Sequence, residues 1–267
     1  MVLRTLPLGE ADRLVVALTD RHGKIRAAAR AARRSQRRFA GGLSPGVVGR
    51  VELHRGRAGL WRLDGVVPEL DHGALGRDLD RFAFATYLCE LTDQLVEEQH
   101  PEPALFDALA HALSTLTQGE ASPDAIELRR YELALLHQLG HAPGLEHCCV
   151  CGGALPGDEV PFSPERGGAL CLQHGRGAPT QPQSVLQAAL ALSCGAPVPA
   201  LDAAQRRRLR DLVFVQLRGL LRAPLRSMEL FTQLAAVGAG DAAARVAAAS
   251  AVAPTTVPAA RGKAGRL

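Results

Sequence analysis

The sequence predicts an α+β, multidomain chain: an N-terminal β-barrel, an all-α helical domain and a zinc-ribbon-like insertion inside the helical part. Three observations carry this. Residues 1–68 hold short runs of strand character separated by turn residues. From about Asp78 the apolar spacing becomes helical. Four of the six cysteines fall within residues 148–171, in pairs spaced for a metal.

The strands come first. Residues 14–19 are apolar and partly β-branched, and Asp20-Arg21-His22-Gly23 is turn chemistry. Residues 24–31 then alternate. Ile25, Ala27 and Ala29 point one way and Lys24, Arg26 and Arg30 the other, because strand side chains repeat every two residues. Runs at 46–55 and 60–66 meet across Gly56-Arg57-Ala58-Gly59, a hairpin signature. Several short strands without helices in so short a span predict a small barrel of the OB type, residues 1–75. Between them, residues 31–43 carry Arg33, Arg34, Arg37 and Arg38 beside Ser35, Gln36, Gly41 and Gly42. They read as a mobile basic loop.

The helical domain is assigned to 76–145 and 178–236. Leu79, Phe82, Ala83, Ala85, Leu88, Leu91, Thr92 and Leu95 follow i, i+3, i+4 spacing. Residues 103–116 form a second helix. Ser122-Pro123-Asp124 opens a third, which runs to Leu139 and ends at Gly140. Helices resume at 181–192, 202–221 and 227–236. Residues 237–267 are rich in Ala, Gly, Val and Pro and lack aromatics, which predicts a disordered tail. An Ala-rich helix at 241–251 is the alternative.

The insertion, 146–177, contains Cys148-Cys149-Val150-Cys151-Gly152 and Cys171-Leu172-Gln173-His174-Gly175. Both pairs have two intervening residues, and nineteen residues separate the pairs. A structural zinc ion takes four thiolate or imidazole donors in a tetrahedron. Gly152 and Gly175 suit the tight turns after each pair. Cys148, Cys151, Cys171 and His174 are the expected ligands, with Cys149 and His147 as alternatives in a shifted register. Four protein donors leave no open position for substrate, so the zinc is expected to be structural. Cys89 and Cys194 read as packing residues.

Charge is unevenly spread. Residues 1–60 hold thirteen Lys and Arg against Glu10, Asp12, Asp20 and Glu52, a local +9 in a chain of net +4. The first module therefore expects a polyanionic partner. The bland alternative is an arginine-rich surface set by genome composition. Aromatics make up 4% of residues. Phe39 and Trp61 are the aromatics of the barrel region, and Trp61 reads as core rather than as a base platform. Phosphate recognition by guanidinium groups is then the expected mode, without sequence selectivity. No membrane span or signal peptide is expected. No phosphate-binding loop, zincin or serine-hydrolase motif occurs, so the chain is expected not to be an enzyme, with a nuclease or deaminase as the rival. A zinc-ribbon accessory protein of transcription or translation is the other alternative.

The order of parts resembles a known family. The residues concerned are Val2-Leu3-Arg4, Gly9-Glu10-Ala11-Asp12, Thr19-Asp20-Arg21-His22-Gly23-Lys24 and Arg26-Ala27-Ala28-Ala29-Arg30. Further on come Arg130-Tyr131-Glu132-Leu133-Ala134-Leu135-Leu136, Leu139-Gly140 and Arg222-Ala223-Pro224-Leu225-Arg226-Ser227. Together they resemble the RecO family of bacterial recombinational repair proteins over about residues 2–235. The resemblance implies binding of single- and double-stranded DNA and annealing of complementary strands. It implies action with a ring-forming partner, RecR, and engagement of single-strand-binding protein (SSB), so that RecA loads. It also implies a cytoplasmic, nucleoid-associated protein. His174 stands where the family more often has cysteine. The DNA contacts are expected at Lys24, Arg26, Arg30, Arg33, Arg34, Arg37 and Arg38. The acidic, Phe-terminated SSB tail is expected on the helical body. Arg222 and Arg226 are candidates there, with helix capping as their alternative role.

Overall fold

The computed structural model describes residues 1–35, 37–39, 41–56, 59–69, 75–76, 78–118 and 125–236. The expected tail, Gln36, the Arg57-Ala58 turn and the Ser122-Pro123-Asp124 cap lie outside the described residues.

The N-terminal sheet has five strands: β1 (Val2–Leu8), β2 (Asp12–Thr19), β3 (Gly23–Ala29), β4 (Gly49–His54) and β5 (Trp61–Pro68). Their spatial order is β1-β2-β3-β5-β4, with β3 and β5 parallel and the other pairs antiparallel. This is the OB-type domain the sequence predicts, with one correction: the sheet does not close into a barrel. No ladder joins β1 to β4. Two main-chain bonds bridge the gap instead, from the Val2 N–H to Val47 O and from the Gly46 N–H to Val2 O, both 2.9 Å.

Alternation within the strands separates two cores. Val15 and Ala17 of β2 join Ile25, Ala27, Ala29 and Leu63 inside the sheet. Val16 and Leu18 point the other way, into the main helical core with Leu3. Strand β2 is thus buried on both faces, which is why it reads as a continuous apolar run.

The helical body comprises α1 (Leu79–Leu95), α2 (Pro103–Thr117), α3 (Ala125–Gln138), α4 (Gln183–Cys194), α5 (Ala203–Arg218) and α6 (Ser227–Ala236). Helix α1 starts where the Asp78 carboxylate accepts the Asp80 and Arg81 N–H groups. Asp202 and Gln205 form a reciprocal capping box on α5. Helix α6 is capped from a distance, since the Glu90 carboxylate accepts the Arg226 and Ser227 N–H groups. Between α3 and α4, strands β6 (Glu159–Ser163), β7 (Gly168–Ala169) and β8 (Thr180–Pro182) make a small sheet in the order β7-β6-β8. No helix is long and apolar enough to cross a membrane among the described residues.

Helix α1 departs from the simple stripe. Leu79 and Phe82, part of the helical spacing, are 53% and 37% exposed, while Phe84, Tyr87 and Cys89 are buried. The helix touches β1, α2, α3 and α6, so it is buried on several sides and no single face describes it. At its centre, Glu132 of α3 is fully buried and accepts bonds from the Tyr87 hydroxyl at 2.5 Å and Arg129 Nη2 at 2.6 Å. Burial raises the Glu132 carboxyl above its ordinary range, and Arg129 opposes that shift. Removing one member of a buried ion pair leaves the other uncompensated. Arg129→Met should therefore cost about 3–5 kcal/mol of stability, measured by urea unfolding. Arg129→Met with Glu132→Leu should recover most of the loss.

Candidate nucleic-acid interface and metal centre

The basic residues divide by what holds them. Lys24 departs from expectation: it is 5% exposed, and its ammonium donates to Asp93 O at 2.6 Å and lies 3.7 Å from the Asp93 carboxylate. Arg4 binds the same carboxylate at 2.8 Å. Burial lowers the Lys24 pKa, with Asp93 and Glu98 opposing the shift. Lys24 is a fastener between the sheet and α1, not part of an open basic face. Alternation placed it correctly beside Arg26, but that end of the face is covered by the chain at 93–99, where the Gln99 N–H donates to Lys24 O. Arg26 is exposed and 3.9 Å from Glu98.

The loop after β3 differs. Arg30, Arg33, Arg34, Arg37 and Arg38 are all exposed. None has a carboxylate partner among the described residues. The Arg33 guanidinium donates to Glu10 O at 3.1 Å and that of Arg38 to Arg30 O at 3.0 Å. Carbonyl partners orient a guanidinium without neutralising it. The loop is also held more firmly than a mobile segment. Ala32 and Phe39 are buried, Phe39 within the inner core of the sheet. The Ala31 N–H donates to the Asp12 carboxylate, the Arg33 N–H to Ala11 O and the Val66 N–H to Arg38 O. Arg62 of β5, absent from the sequence reading, is registered beside Ala28 of β3 but faces Asp64 at 2.8 Å. Arg222 and Arg226 are exposed on the α5–α6 connection, and neither side chain caps a helix end among the described residues.

The structure brings all four expected metal donors together. The Sγ atoms of Cys148, Cys151 and Cys171 and a ring nitrogen of His174 lie within 4.8 Å of one another. Cys151 and Cys171 sulfurs are 3.9 Å apart, and His174 Nδ1 is 3.7 Å from Cys148 and 3.2 Å from Cys171. Two sulfurs bound tetrahedrally to one ion at about 2.3 Å lie about 3.8 Å apart. A disulfide would need about 2.05 Å. The donors therefore fit a single tetrahedral ion.

The knuckles create this geometry locally. Gly152 has φ +69° and donates to Cys148 O, turning the chain so that Cys151 returns toward Cys148. The Gly175 N–H donates likewise to Cys171 O. Backbone N–H groups, that of Cys171 foremost, bring the Cys148 thiol down to about 5. The His174 N–H lowers Cys171, and contact with the Cys171 sulfur raises the His174 imidazole. Thiolate is the metal-ligating form. The shifted register is not used: Cys149 Sγ turns to Gly144 O at 3.7 Å, burial raises its pKa, and His147 is outside the cluster.

Comparison with known proteins covers both parts. The family described as recombination protein O N terminal matches residues 1–68, and recombination protein O C terminal matches residues 76–229. The DNA repair protein RecO of Myxococcus xanthus is 37% identical over 237 residues, 88% of this chain and 96% of its own. That of Syntrophotalea carbinolica is 33% identical over 256 residues, 93% and 96% of the two chains. That of Anaeromyxobacter strain K is 40% identical over 180 residues, 67% and 70%.

The cluster predicts a defined metal content. Purified protein should carry about one tetrahedral metal ion per chain, read by elemental mass spectrometry. Cys151→Ser and Cys171→Ser should each drop well below that ratio, while Cys149→Ser should keep it. Equal loss in Cys149→Ser would restore the shifted register.

Proposed function

Because this chain belongs to the RecO family and so to DNA repair, we propose that it is a non-enzymatic mediator of recombinational repair. It binds single- and double-stranded DNA and anneals complementary strands. With RecR it helps RecA load on DNA coated by SSB, whose acidic tail docks on the helical body. Its place is the cytoplasm, in association with the nucleoid. One observation carries the DNA-binding part: the five arginines at 30–38 are exposed and free of carboxylate partners among the described residues, on a loop pinned to the rim of the sheet.

The mechanism is electrostatic. Each guanidinium offers paired donors to a phosphate and reads no base. Two single strands repel through their backbones, and a surface that neutralises both lowers that barrier. Arg33 and Arg38 are preorganised by carbonyl bonds, so less side-chain freedom is lost on binding. Arg26 contributes less than its exposure suggests, because Glu98 competes with phosphate. Cys148, Cys151, Cys171 and His174 would hold zinc, which supplies a structural crosslink and no chemistry. Three thiolates and an imidazole are a zinc-type donor set, and they complete its tetrahedron.

Arg34→Glu with Arg37→Glu should weaken single-strand binding at least about tenfold, with a salt slope shallower by roughly 1.4. Far-ultraviolet circular dichroism should not change. Arg50→Glu, whose native side chain faces Glu69 at 2.8 Å, should have little effect despite the same charge change per site. Annealing of SSB-coated complementary oligonucleotides should fall with binding. Full affinity in the loop variant would place the DNA face elsewhere.

A further inference from the structure

We infer that the opposite end of the sheet carries a nucleobase-stacking platform made by His22, Trp61 and Arg55. This deepens the DNA-binding reading and rests on it. The arginine loop can hold phosphates of any strand. The platform takes the flat face of an unpaired base, which a duplex hides between its neighbours.

Three planar groups meet at this end. The His22 and Trp61 ring centroids are 4.6 Å apart with an interplanar angle of 35°. The Arg55 guanidinium carbon lies 5.5 Å from the Trp61 centroid. Trp61 opens β5, beside Ala27 of β3, and packs against the inner core of the sheet. It is half-buried, whereas His22 and Arg55 are exposed. Neither of these two side chains has a hydrogen bond or an ion pair among the described residues. Their contact with the indole is what positions them, and their outer surfaces face solvent.

The platform is rigid before any ligand arrives. Thr19 Oγ1 accepts the His22 N–H at 3.0 Å and donates to Gly23 O at 3.0 Å, which fixes the β2–β3 turn. Gly23 has φ +64°, and a Cβ there would lie 2.1 Å from His100 O, so the turn is pressed against the chain entering α2. The turn therefore cannot swing away without leaving the helical body. Rings held in place lose little freedom when a base stacks on them, and imidazole and guanidinium planes both stack on bases. The site expects single-stranded DNA in preference to duplex, with no strong choice among bases.

Trp61 is the chain's one tryptophan, so its fluorescence reports on this site directly. The full-length protein is titrated with oligothymidine of about sixteen nucleotides, within an OB-fold site size, and with an abasic oligomer of equal length and charge. Labelled-strand anisotropy reads affinity and tryptophan emission reads stacking. Oligothymidine should bind roughly tenfold tighter than the abasic oligomer and alone should quench Trp61. His22→Ala with Arg55→Lys keeps the cationic charge at 55 and removes the two exposed planar groups, leaving the half-buried Trp61. It should lose most of the preference for oligothymidine over the abasic strand, with abasic affinity unchanged. Equal affinity for both strands with unaltered emission would overturn the platform and leave the phosphate-binding reading standing. Failure of both strands to bind would instead overturn the DNA-binding reading on which the platform rests.

Discussion

The double-sided burial of β2 constrains everything else in this molecule. One face supplies Val15 and Ala17 to the interior of the sheet, and the other supplies Val16 and Leu18 to the helical core. Each face of the strand excludes water on behalf of a different core, so the sheet cannot turn relative to the helices without exposing apolar surface at about 25 cal/mol per Å². Arg4 and Lys24 reinforce this junction by converging on Asp93. The helix-facing side of β2 from Val16 to Leu18 is consequently unavailable to a ligand. What remains includes the outer side of β3, β5 and β4, together with the loops at the two ends.

That remaining surface is rich in arginine, but its arginines are not equivalent. Arg26, Arg50 and Arg62 each face a carboxylate. A phosphate approaching them must compete with a resident anion. Surface ion pairs are individually weak, so the competition reduces binding without abolishing it. Among the described residues, Arg30, Arg33, Arg34, Arg37 and Arg38 carry no such competitor. The net charge of the first sixty residues identifies a basic module, yet the partner list decides which part of it can act. The same distinction separates Lys24 from its neighbours more sharply, since that ammonium is both buried and paired.

The legible part of the fold is the part set by short-range chemistry. The knuckle spacing around Cys148, Cys151, Cys171 and His174 fixed the metal cluster because each pair is closed by its own turn. The helices were legible from their apolar spacing, whereas the capping box of Asp202 and Gln205 emerges only in the structure. Strand β1 was not separately resolved: Arg4, Thr5 and Pro7 break its alternation, and its register with β2 shifts between Val2 and Arg4. The burial of Lys24 and the exposure of Leu79 and Phe82 were hidden for one shared reason. Periodicity says which residues share a face, but not which neighbouring element covers that face. The openness of the sheet was likewise hidden, because it depends on whether β1 and β4 meet. His22 was hidden too, since a turn histidine acquires its meaning only from a tryptophan 39 positions along the chain.

The metal module follows from the same logic of shared cores. It is inserted between α3 and α4, which pack against each other, so both ends of the insertion must return to nearly the same place. Its strands help: Val160 and Phe162 of β6 and Ala169 of β7 are buried within the main helical core. Gly144 bridges to this strand, its N–H donating to Gly167 O at 2.8 Å and its O accepting the Ala169 N–H at 2.9 Å. This half of the insertion is held by burial and main-chain bonds. The two knuckles lie against it, the first through the Cys149 N–H donating to Ala169 O and the second through Gly175 packed on Pro161, and the four-donor cluster joins them to each other. A metal held by these four donors would therefore organise the tip of the insertion rather than the body, where the local sequence offers too few apolar side chains to build a core of its own.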